Sequence, residues 1–133
     1  FQAECVGGRF TGRFDGWAGL GLEHRRSLEL GPAGLSGVDE VTSLGAAGAH
    51  RLNLRFHLHP SAAARMTAEG VEVETASGRR WRFSAAGGAV SLEESVYSPR
   101  FHEMEPGTCI RVGAGFSPPS TRLDWRWERI QRP

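Results

Sequence analysis

Between Leu52 and Pro60 the chain reads Leu-Asn-Leu-Arg-Phe-His-Leu-His-Pro. Leu52, Leu54, Phe56 and Leu58 alternate with Asn53, Arg55, His57 and His59. A period of two belongs to an extended strand, because successive side chains leave on opposite faces. The four apolar groups therefore share one face and the polar groups the other. Pro60 has no amide hydrogen to give a sheet ladder, so it closes the strand. The same register sets two imidazoles side by side on the polar face.

The rest of the chain repeats this pattern. Leu20 to Leu30 alternates as cleanly and carries a third histidine, His24. The stretch from Phe1 to Trp17 alternates weakly and predicts one or two strands. Gly31-Pro32-Ala33-Gly34 is a turn by composition, followed by a short strand from Leu35 to Val41. Ser61 to Glu69 fits either a short helix capped by Ser61 or an edge strand. Val71, Val73 and Thr75 alternate, Ser77-Gly78 makes a tight turn, and Trp81 and Phe83 return on the partner strand. Further strands are predicted from Val90 to Tyr97, around Thr108 to Val112, and around Leu123 to Trp127. Nothing holds a helical period over three turns. Strands of this spacing with Gly and Pro between them predict an all-β chain, an antiparallel β-sandwich of about nine strands with little or no helix. No internal repeat or linker divides residues 1–133, so they read as one domain. The inward set is Leu54, Phe56, Leu58, Trp81, Phe83, Trp125 and Trp127.

Composition removes several classes of function. Sixteen basic residues, all arginine, face 15 acidic ones for a formal charge of +1. A nucleic-acid protein would show a basic stripe or a strongly basic domain. No apolar run is long enough for a membrane-spanning helix. The first residue is Phe1 and the only methionines are Met66 and Met104, which favours a piece of a longer protein. Cys5 and Cys109 lie near opposite ends and read as two free, partly buried thiols rather than a bridge; they have no zinc-knuckle spacing.

Three sets of residues could carry chemistry. His24, Asp39, His57 and His59 are ligand types for zinc, yet their spacing matches no established motif, and the plainer reading is a polar sheet face. Used as ligands, they would make this a small metal-dependent β protein. Arg55, Arg80 and Arg82 are the substrate-binding candidates: with Arg126 they fall on polar faces near tryptophans, and arginine forks match carboxylates and sulfates. Alternation instead places Trp81, Trp125 and Trp127 in the core and leaves the arginines solvated. Glu93 and Glu94 cannot form a glycosidase pair by themselves, because adjacent strand residues face opposite ways. There is no Gly-x-Ser-x-Gly, phosphate loop or His-Glu-x-x-His.

Taken in order, Asp15-Gly16-Trp17, His24-Arg25-Arg26-Ser27-Leu28, Val38-Asp39-Glu40-Val41, Arg55-Phe56-His57-Leu58-His59-Pro60, Gly78 to Trp81 to Phe83, Glu94-Ser95-Val96-Tyr97 and Trp125-Arg126-Trp127 resemble the distal β-sandwich of the heparinase II/III-like polysaccharide lyases. Phe14 departs from the pattern, since many relatives have histidine before the Asp-Gly step. The resemblance implies the C-terminal part of a longer bacterial protein whose helical toroid is the partner domain, and β-elimination on acidic, uronate-containing polysaccharides such as glycosaminoglycans. It leaves a periplasmic location open. It also implies that the family's catalytic tyrosine and histidine come from the toroid, so that Tyr97, the single tyrosine, is a sandwich residue. The family's metal ligands lie in an earlier His-rich segment with no counterpart here. This chain is therefore expected to hold no cofactor, zinc belonging to the full-length family. Whether the chain is itself an enzyme stays open. The competing reading is a non-catalytic carbohydrate-binding or interaction module. No nucleic-acid or membrane partner is expected.

Overall fold

The computed structural model describes residues 2–45 and 50–130. They form eleven strands: β1 (Gln2–Val6), β2 (Arg9–Phe14), β3 (Leu22–Gly31), β4 (Gly34–Ser43), β5 (Arg51–His57), β6 (Ala63–Thr67), β7 (Gly70–Glu74), β8 (Arg80–Ala86), β9 (Ala89–Tyr97), β10 (Glu105–Gly115) and β11 (Ser120–Ile130). A single 3-10 turn, Ala18–Leu20, interrupts them. The strand count exceeds the expected nine because the first seventeen residues give two strands and Ser61 to Glu69 resolves as strand β6. The all-β sandwich architecture stands as the alternation indicated.

All pairings are antiparallel. Eight strands make one sheet in the order β1-β2-β3-β4-β11-β8-β7-β6, and three make the other in the order β5-β10-β9. The layers are thus unequal, and the small sheet cannot cover all of the large one. Period two sorts the faces. Val71, Val73, Phe83, Leu123, Trp125, Val41 and Leu22 from the large sheet meet Leu52, Ile110, Val112 and Ala114 from the small one as the buried core. Phe83, Ile110 and Val112 are wholly sealed from solvent.

The β3–β4 hairpin depends on a glycine. Gly34 pairs with Gly31 and sits at φ 155°, where a Cβ would run into the Trp127 carbonyl of β11. Only glycine accepts that close backbone approach at a positive φ.

The inward set from β5 is confirmed in register and graded in depth. Leu54, Phe56 and Leu58 pack against the core while remaining half-buried. Trp81 is half-buried and stands outside the central cluster. The Phe56 ring lies 4.9 Å from that of Phe83 and 4.8 Å from that of Trp125, so it joins the two sheets. Phe56→Ala is expected to destabilise the chain by about 3 kcal/mol, the lower end for a core phenylalanine because the ring is half-buried. The midpoint of denaturant unfolding measures it. A change below about 1 kcal/mol would mean the ring is not an inter-sheet contact.

Candidate functional site

Alternation on β3 puts His24 and Arg26 on the same face as Leu22 and Leu28, which is the face turned toward the small sheet. Polar groups on that face need a partner, and β4 supplies it in register: Arg26 lies opposite Asp39. Asp39 is 2% exposed. Its Oδ1 accepts from His24 Nε2 at 2.6 Å and from Arg26 Nε at 2.7 Å. Its Oδ2 accepts from Trp125 Nε1 at 2.8 Å. Burial alone would push this carboxyl up; the three donors and the Arg26 charge outweigh burial and hold it below its ordinary value. Trp17 closes the outer side, its ring stacked on His24 at 5.4 Å and met edge-on by Phe14. A groove of about 240 Å³ opens here, between this wall and the β5 residues Arg51 to Arg55.

The outer face of the small sheet carries a second cluster. The register sets His57, Cys109 and Glu93 in one row and Arg55, Arg111 and Ser91 in the next. Glu93 takes a hydrogen bond from Arg111 Nη1 at 2.8 Å and one from Arg55 Nε at 3.3 Å. The Arg111 bond first, then that of Arg55 and both charges, hold its carboxyl below the usual range against partial burial. Cys109 lies beneath, 2% exposed, with its thiol pushed up by burial and by the Glu93 charge, so it stays a protonated, inert thiol. Cys5 is free and exposed. His57 Nδ1 lies 2.6 Å from Ser95 Oγ. His59 falls just past the strand, where its Nδ1 meets Ser61 Oγ and accepts from the Ser61 amide; its ring lies 5.0 Å from Tyr97.

A third cluster lies on the outer face of the large sheet. Glu72 on β7 takes Arg65 at 2.6 Å and Arg80 at 2.9 Å. Arg82 pairs with Glu69 at 2.9 Å and stands 3.9 Å from Glu72. The Arg65 bond first, followed by that of Arg80, lowers the Glu72 carboxyl.

The structure therefore separates the candidates that sequence grouped. Arg55 belongs to the small sheet and Arg80 and Arg82 to the large one, and each already holds a carboxylate. His24 and Asp39 meet, whereas His57 and His59 lie on other elements with serine partners. Among the described residues no three His, Cys, Asp or Glu side chains gather as a metal group would. The donor set at Asp39 explains why His24 and Asp39 do not start one: its oxygens face three donors, including the Arg26 guanidinium, and a cation would have to displace that charge. These residues do not fit the metal of the full-length family.

Sequence reasoning missed Arg26, Trp125 and Trp17 as partners of the His24–Asp39 pair, and Glu93 and Glu72 as partners of the arginines. One signal was available: His24 and Arg26 interrupt the apolar face of an otherwise regular strand, and buried polar groups demand partners.

The fold is that of an antiparallel β-sandwich module. The family model described as heparinase II/III-like, C-terminal, matches residues 3–126, and the chain belongs to that family as its C-terminal domain. Among solved structures, a chain titled heparinase III, the BT4657 gene product, superposes with TM-score 0.77 at 13% identity, covering 98% of this chain and 21% of that one. A methylated-lysine form of the same protein gives TM-score 0.74 at 12% identity, covering 96% and 20%. The chain thus spans about a fifth of the length of these solved relatives. At such identity the likeness shows the fold alone. A search of curated proteins finds no match.

Proposed function

We propose that this chain is the C-terminal sandwich of a heparinase II/III-like polysaccharide lyase, acting on uronate-containing glycans when joined to a helical toroid domain. The observation that carries the reading is the family match across nearly the whole chain, residues 3–126. Elimination needs a base for the proton beside the carboxylate, an acid for the leaving oxygen, and a group that neutralises the carboxylate, all around one sugar. This chain contributes the third kind of chemistry. Arg55 and Arg111 share the one carboxylate of Glu93, leaving a net positive charge on the outer face of the small sheet. Arg65, Arg80 and Arg82 share Glu69 and Glu72 on the large sheet, again with one guanidinium in excess. An acidic glycan carboxylate or sulfate can compete for either surplus guanidinium. Tyr97 rests at the end of β9 against His59, and we assign it no proton-transfer role.

The test compares the 133-residue chain with a longer protein that includes the toroid. Heparan sulfate, alginate and other uronate polymers are supplied, and the ultraviolet absorbance of the unsaturated product is followed. The longer protein is expected to cleave at least one polymer and the chain alone none. Steady cleavage by the chain alone, lost with Tyr97→Phe, would overturn the division of labour. Binding without cleavage by the longer protein would favour the competing reading, a non-catalytic glycan-binding module.

A further inference from the structure

The two layers are mismatched, and the mismatch has a definite place. The small sheet ends at β5, which pairs with β10 and with no other described strand. Beneath it lie β4 and the near side of β3, as the shared groove of Trp17, His24, Asp39, Val41, Leu52 and Leu54 shows. Among the described residues no strand covers the inner face of the large sheet beyond β5, although Trp17 stacks on His24 there. Phe10 and Phe14 of β2 lie opposite Leu28 and His24 of β3 on that face. Phe14 and Leu30 are 41% and 69% exposed, and the Arg26 side chain is 40% exposed although it holds a buried aspartate.

The backbone of β5 shows what could cover it. In an antiparallel ladder, alternate residues turn both N–H and C=O toward one neighbour. The Phe116 amide donates to the His50 carbonyl, and the Leu58 amide donates to the Thr108 carbonyl. The β10 side therefore takes the even positions, including Leu52, Leu54 and Phe56. The amides and carbonyls of Arg51, Asn53, Arg55 and His57 point the other way, along the groove. Natural edges of this length are blunted by charged side chains, proline, a bulge or an inward charge; β5 has no proline or inward charge between Arg51 and His57, only the outward charges of Arg51 and Arg55.

We propose that β5 is an internal strand in the longer protein: an extended segment from outside residues 1–133 pairs with its free edge and lies over the inner face of β3 and β2. This rests on the proposed membership of a longer lyase, whose solved relatives carry roughly four-fifths of their length outside the matched region. The segment is apolar at inward positions, to cover Phe10, Phe14 and Leu28, and carries an acidic residue at the outward position across from Arg51. The β5 strand of a second copy does not meet that requirement. Every outward side chain of β5 is basic, neutral or histidine, so no register of β5 against β5 brings a carboxylate to either arginine.

Hydrogen exchange with mass spectrometry of the peptide covering residues 51–57 tests this in the 133-residue chain and in the longer protein. The chain alone is expected to protect the amides of Leu52, Leu54 and Phe56 and to exchange those of Arg51, Asn53, Arg55 and His57 freely. The longer protein is expected to slow the latter four by at least roughly 100-fold. Asn53→Pro removes a donor only from the free edge, where proline is tolerated. It should leave the chain folded, with protection of Leu54 and Phe56 intact, and abolish the added protection in the longer protein. Free exchange of the four amides in an active longer protein overturns the inference and leaves the lyase reading standing. Their protection in a longer protein without lyase activity supports the inference while the lyase reading fails. Protection in the 133-residue chain that grows with concentration, together with dimers in sedimentation, overturns it in favour of a second copy.

Discussion

Replacing Asp39 with alanine is expected to destabilise the chain by about 3–5 kcal/mol, the range for removing one partner from a buried charged pair. The carboxylate joins three strands: His24 and Arg26 come from β3 and Trp125 from β11, while Asp39 itself is on β4. Trp125 is 5% exposed, so its indole N–H would lose the Asp39 acceptor with little water to replace it. An orphaned buried donor costs about 1–3 kcal/mol by itself. The Arg26 side chain, 40% exposed, can turn partly to solvent, which keeps the loss from rising further. For a chain of this size the loss corresponds to a fall in Tm of roughly 11–18 °C. Asp39→Asn keeps the volume and one accepting oxygen and should cost less. A fall of only a few degrees for Asp39→Ala would show that the network does not hold these strands together.

The same residue sets part of the acid limb of stability. Burial raises its carboxyl, but the His24, Arg26 and Trp125 hydrogen bonds and the Arg26 charge lower it more, leaving it below the ordinary 3.8. The folded carboxyl therefore binds its proton at lower pH than the unfolded one. Its contribution is complete above the ordinary value and fades as pH falls through 3.8 toward the folded value. The stability difference between the native chain and Asp39→Asn should be flat near neutral pH and shrink below about pH 4. Glu72 and Glu93 are lowered too and act in the same direction, so the native acid limb is steeper than Asp39 alone gives.

Much of the fold was legible because β-structure writes a period of two into the sequence. The strand from Leu52, the hairpin turning at Ser77-Gly78 and the pair Trp125–Trp127 all appear where alternation placed them. Ser61 to Glu69 was ambiguous because Ala62-Ala63-Ala64 favours a helix locally, while pairing with β7 decides for a strand. The site was less legible because period two tells which face a side chain takes and says nothing of which strand lies beside it. His24 and Asp39 meet through the β3–β4 hairpin, which sequence suggested. Trp125 reaches Asp39 only because β11 inserts between β4 and β8, a pairing across 86 positions. His57 was grouped with His24 by residue type, and the division into two sheets separates them. The arginines were read as free, since local sequence shows neither that Glu93 lies two strands from Arg55 nor that Glu72 lies opposite Arg82.

Gly37→Val is expected to cost about 1.5–6 kcal/mol, and to do so through Trp125 rather than through the backbone. Gly37 lies opposite Trp125 in the β4–β11 ladder, and the indole lies across it: a Cβ at this position would overlap Cζ2, Cε2 and Cη2 of the ring. These are ring atoms of a side chain packed on the other side by Phe56, at 4.8 Å between centroids, so the indole cannot yield without disturbing the inter-sheet contact. Overpacking of this kind costs about 1–3 kcal/mol. Displacing the ring also pulls Nε1 from Asp39, and a hydrogen bond to a charged acceptor is worth about 1.5–3 kcal/mol. Valine's better strand propensity returns at most about 1 kcal/mol. The near-ultraviolet circular dichroism of the tryptophans should change together with the fall in Tm. A double-mutant cycle identifies the route. If the displaced indole loses Asp39, Gly37→Val should cost about 1.5–3 kcal/mol less in an Asp39→Ala background than in the native one, because the bond is already gone. Additive costs would mean that the indole moves without leaving the carboxylate, and that Gly37 is required only for the space it leaves.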